Sequence, residues 1–285
     1  MNSRIISAID LDDGLLLPEI ETILQFDDVK EEYSEYRFGT WKNYVLWNGS
    51  GDQQDTLFMG TEGGAVQTPL GRQLKYISSV IEENFHTAKL KMVRANLLRD
   101  AVLIPHRDYI EFKTDYRRLA RLHIPIMTDR HSLHSEKEDV FHMRRGEAWY
   151  LDVSNIHSAC NLSERPRISL VLDFCLDGQP LDSAFKHPER HRPHLEAMMI
   201  EREPMDEEFL QAIASLKHVI NRTNYRDIVL LLSRVHFYKD VGLSLFFDWL
   251  IDICEGQEDG FLLEKSINFK EYMVKSRELA QRFAL

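Results

Sequence analysis

The sequence predicts a mainly β core, preceded by helices and followed by a helical domain. The chain has 285 residues and is 44% apolar, which is enough to bury a sizeable core. The spacing of its apolar residues is helical before about residue 89, strand-like up to residue 174 and helical again after residue 204. Many short strands without intervening helices favour a sandwich or jelly roll over a parallel sheet.

Two helices are predicted before the strands. Residues 17–26 carry apolar side chains at helical spacing. A second helix is predicted to begin at Thr68-Pro69, where a capping residue precedes a proline suited to the first turn. The apolar stripe of this helix is formed by Leu74, Ile77, Ile81 and Phe85.

Six short strands follow, separated by short connectors that are polar or contain proline or glycine. They are predicted for residues 90–98, 101–104, 119–127, 140–143, 147–153 and 168–174. Residues 179–203 hold several prolines and charged residues and are predicted to be a linker. The expected division is therefore a β domain at 1–178, the linker, and a helical domain at 204–285. The last apolar stripe of that helical domain spans residues 262–283.

Composition narrows the classes of partner. The formal net charge is −11 and the pI about 5.6, so the protein is expected to repel nucleic acid and anionic membrane surfaces. A small-molecule substrate or a protein partner fits better. Three cysteines without a C-x-x-C pair indicate reduced thiols in the cytoplasm. The first 13 residues do not resemble a signal peptide, and no apolar stretch is long enough to span a membrane. The sequence does not indicate an oligomeric state.

A metal site is predicted from His106-Arg107-Asp108 and His157. Alternate residues of an extended chain point to the same side, so His106 and Asp108 are expected to share one face. Two imidazoles and one carboxylate form the facial triad of non-haem Fe(II) oxygenases. A turn at residues 161–164 is expected to place Arg167 nearly opposite His157 across a hairpin, where its charge can hold an anionic co-substrate.

Further polar residues are expected to face the interior of the β core. Arg121 and His123 alternate with apolar neighbours, and a buried charge needs a partner, which an anionic ligand can supply. Arg94 is another inward cation, on the preceding strand. Trp41 either stacks over a small ring or fills the core.

Structural explanations exist for the same residues. Asp108 suits a helix cap or a turn, His157 a hydrogen-bonded core histidine, and Arg167 a surface ion pair. His131 and His134 flank a polar loop, for which a solvated hairpin is favoured over a lid. The ordered set of motifs within the strand-rich segment favours the iron site over these explanations.

Taken together, these motifs resemble a known family. His106-Arg107-Asp108 within residues 104–109, the Arg121-Leu122-His123 strand, and residues 143–152 leading to His157-Ser158-Ala159 resemble the aspartyl/asparaginyl β-hydroxylase-like oxygenases. Within these, the chain is similar to the bacterial hydroxylases of free L-proline, and nearer to the cis-3 than to the cis-4 type. The resemblance covers nearly the whole chain and includes Glu31-Glu32-Tyr33, Trp41-Lys42-Asn43 and residues 224–228.

The resemblance implies a fold and a set of roles. The fold is a double-stranded β-helix of the jelly-roll or cupin-like type with a C-terminal helical domain. His106, Asp108 and His157 match iron ligands, and Arg167 matches the residue that grips the distal carboxylate of 2-oxoglutarate. Arg121 and His123 match an inward Arg-x-His, which we assign to the co-substrate. The iron centre is expected to work without a separate acid or base.

The implied reaction is hydroxylation of a free amino acid by O2 and 2-oxoglutarate at Fe(II), with succinate and CO2 as co-products. L-Proline attacked at C3 in cis is the expected substrate, with Arg94 or Arg121 on its carboxylate and Trp41 and Leu103 against its ring. The alternatives are attack at C4, L-pipecolate or another free amino acid. More distant ones are a cupin-like metal enzyme without 2-oxoglutarate, a peptidyl-asparaginyl hydroxylase, and a non-catalytic binding module.

Overall fold

The structure is a computed structural model, described here for residues 1–27, 34–58, 63–112, 115–190, 195–256 and 260–285. The motif Glu31-Glu32-Tyr33 lies outside these ranges. The described helices are α1 Asp13–Gln25, α2 Pro69–Gln73, α3 Lys75–Asn84, α4 Glu207–Ser215, α5 Tyr225–Arg234, α6 Leu245–Cys254 and α7 Phe261–Val274. The described strands are β1 Arg4–Ala8, β2 Arg37–Asn48, β3 Val66–Gln67, β4 Leu90–His106, β5 Leu119–Met127, β6 Ser132–Glu136, β7 Asp139–His142, β8 Glu147–Leu151, β9 His157–Asn161, β10 Arg167–Cys175, β11 Met198–Met199, β12 Glu203–Pro204 and β13 Lys239–Asp240.

Eleven of the described strands form one sheet, in the order β1-β8-β5-β10-β4-β9-β6-β7-β11, with β2 on the other edge of β4 and β3 beside β2. Its pairings are antiparallel. Strands distant in sequence are neighbours, and the sheet curls around an internal cavity. The predicted β core, a double-stranded β-helix with helices before and after it, is confirmed.

β4 organises this sheet, and it is longer than predicted. The sequence indicated two strands, at 90–98 and 101–104, but they form one strand, whose register with β2 shifts near Asp100, a residue with φ of +40°. β2 runs along one edge of β4. The other edge is shared, because β10 pairs with its first half and β9 with its last residues. The strands that carry the two predicted imidazole ligands therefore meet at the end of β4.

The two faces of the sheet differ as alternation requires. One face is apolar and packs against α1 and α3, with Leu97, Leu122 and Leu170 in the same buried cluster as Ile20 and Ile81. The residues between them, such as Arg121 and His123, face the cavity. This single alternation separates the stabilising core from the polar lumen.

The N-terminal helices match the predicted stripes but differ at their ends. α1 begins at Asp13, earlier than predicted, because Asp12 caps it by accepting hydrogen bonds from the backbone N–H groups of Gly14 and Leu15. Thr68 caps α2 as predicted. The helix breaks at Leu74 and continues as α3, and its predicted stripe is buried throughout, at Leu74, Ile77, Ile81 and Phe85.

The C-terminal helices pack on β4. They form a second apolar cluster that includes Tyr36, Phe38 and Ile104 from the β core. α7 ends at Val274, before the predicted end of its apolar stripe, and residues 277–282 run along the cavity instead. Before these helices, β11 adds to the sheet beside β7, within residues 179–203. The domain boundaries and the linker remain predictions. None of the described helices is long and apolar enough to cross a membrane.

Candidate functional site

A cavity of about 140 Å³ lies inside the curled sheet. It is lined by lumen-facing side chains of β2, β4, β5, β6, β9 and β10 and by residues 277–282. Every candidate from the sequence contributes to this lining: His106, Asp108, His157, Arg167, Arg121, His123, Arg94, Trp41 and Leu103. The fold therefore brings together residues that lie far apart in the chain.

The three predicted metal ligands converge. His106 at the end of β4 is the cross-strand partner of His157 at the start of β9. His106 Nε2 lies 3.4 Å from Asp108 Oδ1, and His157 Nε2 lies 3.8 Å from Asp108 Oδ2. One ligand atom from each residue lies within 4.8 Å of the others, which is close enough for one ion to contact all three.

Both imidazoles are held in the tautomer that a metal requires. His106 Nδ1 lies 2.7 Å from the carbonyl oxygen of Ile104, and His157 Nδ1 lies 3.0 Å from that of Asn155. A carbonyl only accepts, so each Nδ1 carries the proton and each Nε2 presents a lone pair toward Asp108. Burial and the neighbouring His106 lower the pKa of His157 to about 4, so it is neutral at pH 7. This donor set suits a divalent iron ion.

The carboxylate ligand is part of a buried ion-pair network. Arg121 donates through Nη1 to Asp108 and through Nε to Asp173, the latter at 2.7 Å. Asp173 also accepts from Arg94 at 2.7 Å and from the Tyr109 hydroxyl at 2.6 Å. Burial raises the pKa of Asp108, but the Arg121 guanidinium together with the His106 and His157 imidazoles outweighs burial and holds that pKa well below its usual value.

The network changes what the sequence led us to expect of Arg121. An external anion was the expected partner, whereas Arg121 finds its counter-charges in Asp173 and Asp108. Asp173 is the residue directly across from Arg121 between β5 and β10, so their pairing follows from strand register. A contact of Arg121 with the co-substrate remains a prediction.

Arg167 is different because its guanidinium stays unpaired. Its side chain is buried at 5% exposure, and no carboxylate or carbonyl among the residues that the structure describes binds it. Burial lowers its pKa to about 10, so it remains a cation at neutral pH. An uncompensated buried charge is costly, and this one lines the cavity. A buried guanidinium in a cavity wall is chemically suited to bind an anion.

The expected hairpin between His157 and Arg167 is wrong. β9 and β10 do not pair with each other; each pairs with a different part of β4. Arg167 lies opposite Leu98 and His157 opposite His106, so the two face one cavity from the same edge of β4. The error came from pairing strands that are neighbours only in sequence.

A row of imidazoles extends from the triad along the cavity wall. His134 stacks on His157 at a centroid distance of 5.9 Å, and His123 follows at 6.3 Å from His134. Burial lowers the pKa of both His123 and His134 well below the usual value, so both are neutral. The Nδ1 atom of each has no hydrogen-bond partner within the described part of the chain.

His134 is a site residue that the sequence analysis missed. The solvated loop expected around His131 and His134 is half right, since His131 is exposed at a turn. His134 instead lies in β6 and is 4% exposed. The available signal was the alternation of Leu133 with Ser132 and His134.

Other lining residues were also missed. They are polar or aromatic side chains whose neighbours alone do not mark them: Tyr36, Asn43, Phe58, Asn96, Ser169, Asp173 and residues 277–282. Asn43, Asn96 and Ser169 lie in register across β2, β4 and β10. The signal for Ser169 and Asp173 was their even spacing from Arg167 along a predicted strand.

The chain is similar to known proteins along nearly its whole length. The family model described as aspartyl/asparaginyl β-hydroxylase matches residues 15–176, and that described as L-proline 3-hydroxylase, C-terminal, matches residues 182–281. The chain is 36% identical to L-proline cis-3-hydroxylase 1 of a Streptomyces species, covering 100% of this chain and 99% of the relative. It is 29% identical to L-proline cis-4-hydroxylase of Rhizobium meliloti, covering 98% of each.

Among solved structures, a 2-oxoglutarate–Fe(II) oxygenase family oxidoreductase of Burkholderia pseudomallei is 13% identical, with a TM-score of 0.37, covering 61% of this chain and 84% of that one. The resemblance inferred from the motifs, nearer to the cis-3 than to the cis-4 relatives, is confirmed. With a family model matching more than half of its length and a full-length relative above 30% identity, this chain belongs to the aspartyl/asparaginyl β-hydroxylase family.

Proposed function

We propose that the protein is an Fe(II)- and 2-oxoglutarate-dependent dioxygenase that hydroxylates free L-proline at C3 in cis, releasing succinate and CO2. The observation that carries the proposal is the buried guanidinium of Arg167, which has no partner among the residues that the structure describes and lines the same cavity as His106, Asp108 and His157. A metal-ligand triad beside a free cation suits a dianionic keto acid that reaches from one to the other.

Each wall of the cavity has a role in this proposal. His106, Asp108 and His157 hold the iron, which when bound supplies the O2 chemistry that oxidises a C–H bond. Arg167 binds the distal carboxylate of 2-oxoglutarate. The neutral His123 and Arg121 line the same cavity, and both stay assigned to the co-substrate. Arg121 also orients Asp108 through their hydrogen bond.

The substrate is placed against Arg94, Trp41 and Leu103. The Nε atom of Arg94 is buried without an acceptor in the described ranges, so the Arg94 guanidinium retains a donor for a carboxylate. Trp41 and Leu103 supply apolar surface for a small ring. A ring held in one orientation exposes one carbon to oxidation, because placement decides which bond reacts.

A small free amino acid is favoured as the partner. The cavity is about 140 Å³, and residues 277–282 form part of its wall. The net charge of −11 argues against nucleic acid or an anionic membrane as a partner. We place the protein in the cytoplasm, since Cys160, Cys175 and Cys254 are all free and buried.

The test is substrate-dependent succinate formation by purified protein given Fe(II), ascorbate and 2-oxoglutarate. L-Proline, L-pipecolate, other free amino acids and an asparaginyl peptide are supplied in parallel, and NMR assigns the hydroxylated carbon. We expect succinate and cis-3-hydroxyproline with L-proline, and no turnover by His106→Ala. Product at C4, or from another substrate, would retain the chemistry and correct the specificity. No substrate-dependent succinate from the whole panel would support a non-catalytic binding module instead.

A further inference from the structure

The last turn of α7 contacts the chain between two of the metal-ligand candidates. The Arg107 backbone N–H donates to the carbonyl of Met273 at 3.0 Å, and Arg107 Nη1 donates to the carbonyl of Val274 at 3.1 Å. Carbonyls at a helix C-terminus lack partners within the helix. Those at the end of α7 are therefore satisfied by the residue between His106 and Asp108.

A second arginine, Arg277, contacts the backbone of Arg107 as well. Arg277 donates through Nη2 to the carbonyl of Arg107 at 2.9 Å and lies 3.1 Å from Glu111 Oε2. Its guanidinium lies over the rings of Tyr36 and Tyr272, at 5.5 and 5.8 Å from their centroids. The Arg277 side chain is only 8% exposed, so these contacts are shielded from water.

The contacts extend to both imidazole ligands. The Tyr36 ring meets His106 edge-on at a centroid distance of 5.1 Å. Arg107 Nε donates to the carbonyl of Ser154 at 2.5 Å, next to Asn155, whose carbonyl orients His157. The N–H, the carbonyl and the side chain of Arg107 are all engaged, so the segment between His106 and Asp108 is held by α7 and by the turn before β9.

We propose that Arg107 and Arg277 are positioning residues that couple the end of α7 to the His106–Asp108 pair. The C-terminal helical region then sets the spacing of the metal ligands, besides covering an apolar face of β4. This inference rests on the proposed function, because it requires that a metal binds at the triad. Groups behind metal ligands typically change metal affinity by about 10- to 100-fold when they are removed.

The test is titration with Co(II) as the probe metal, followed by the visible absorption of the bound ion, on wild type and Arg277→Ala. We expect about 10-fold weaker Co(II) binding and shifted absorption bands in Arg277→Ala. Arg277→Lys keeps the charge but not the two-sided contact, and is expected to lie between them. Lys275→Ala is the matched control, since Lys275 is 63% exposed and pairs with Glu271 on the helix surface.

The possible outcomes separate the two ideas. Equal Co(II) affinity and spectra for folded wild type and Arg277→Ala would overturn the coupling alone. If Arg277→Ala does not fold, Arg277→Lys decides in the same way, with unchanged affinity contradicting the coupling and weaker affinity supporting it. Wild-type protein that binds no Co(II) would overturn the proposed function, and the coupling with it.

Discussion

The two ends of the cavity handle charge in opposite ways. At the paired end, Arg94 and Arg121 bind the buried carboxylates of Asp173 and Asp108. At the open end, formed by Arg167, Ser169 and His134, the guanidinium has no counter-ion among the described residues, and Ser169 Oγ and His134 Nδ1 lack hydrogen-bond partners. Of the triad, Asp108 belongs to the paired end, and His157 contacts His134 of the open end.

The difference separates structural charge from ligand-binding charge. A buried ion pair that is fully hydrogen-bonded holds side chains in one arrangement, and the paired end does this for Asp108. A buried cation without a partner costs stability and persists where a ligand compensates it. The paired end therefore positions Asp108 for the metal, besides the ligand contacts proposed for Arg94 and Arg121, and the open end is suited to bind an anion.

Replacing an arginine should lower the free energy of unfolding strongly only at the paired end. Arg121→Met leaves Asp173 and Asp108 with less compensation, so we expect the free energy of unfolding to fall by about 3–5 kcal/mol. Denaturant unfolding of the metal-free protein measures this. Arg118→Met is the control, because Arg118 pairs with Asp177 at the surface, where ion pairs contribute little to stability. Equal losses for the two variants would remove the distinction between the two ends.

At the open end, replacing arginine by methionine should weaken co-substrate binding rather than lower the free energy of unfolding. Arg167→Met deletes a charged hydrogen-bond donor worth about 3 kcal/mol, so the 2-oxoglutarate requirement should rise about 100-fold. Without ligand, its unfolding free energy should not decrease, because an unpaired buried charge has been removed. Arg165→Met, two residues away and exposed, is the control. An unchanged requirement for 2-oxoglutarate in Arg167→Met would place the anion site elsewhere.

The two ends also differ in how far the sequence predicts them. The spacing His106-x-Asp108 and the inward direction of Arg121 and His123 are local consequences of alternation, so they could be predicted without a fold. That Arg121 meets Asp173, 52 residues away, depends on which strands pair and in which register. The counter-ions of the paired end were therefore missed.

The same limit explains the two errors that matter most for function. Arg167 was expected opposite His157 across a hairpin that does not exist; their strands instead pair with different parts of the same edge of β4. The contact of Arg277 with Arg107 joins residues 170 apart in the chain, with no local pattern to indicate it. Local periodicity predicts faces, whereas the assembly of a site also needs the strand order.

A smaller effect is expected in the pH dependence of the free energy of unfolding. It arises wherever burial lowers the pKa of a histidine, inside or outside the cavity. His236, which lies away from the cavity beside Ser135, has its pKa lowered to about 3 by burial and by Arg202. In the unfolded chain its pKa is near 6.5, so between pH 6.5 and about 3 the unfolded state binds the extra proton. The stability that neutral His236 allows is therefore present above pH 6.5 and is lost as the pH falls.

His236→Gln removes this contribution without touching either end of the cavity. Between pH 6 and 4, unfolding free energies of the metal-free variant should fall less steeply than those of wild type, by up to about 1.4 kcal/mol per pH unit. Urea unfolding at several pH values measures the two slopes, and the 2-oxoglutarate requirement at pH 7 should stay the same. An identical slope would mean that His236 titrates normally in the folded protein, whereas an altered requirement would mean that its effect reaches the open end.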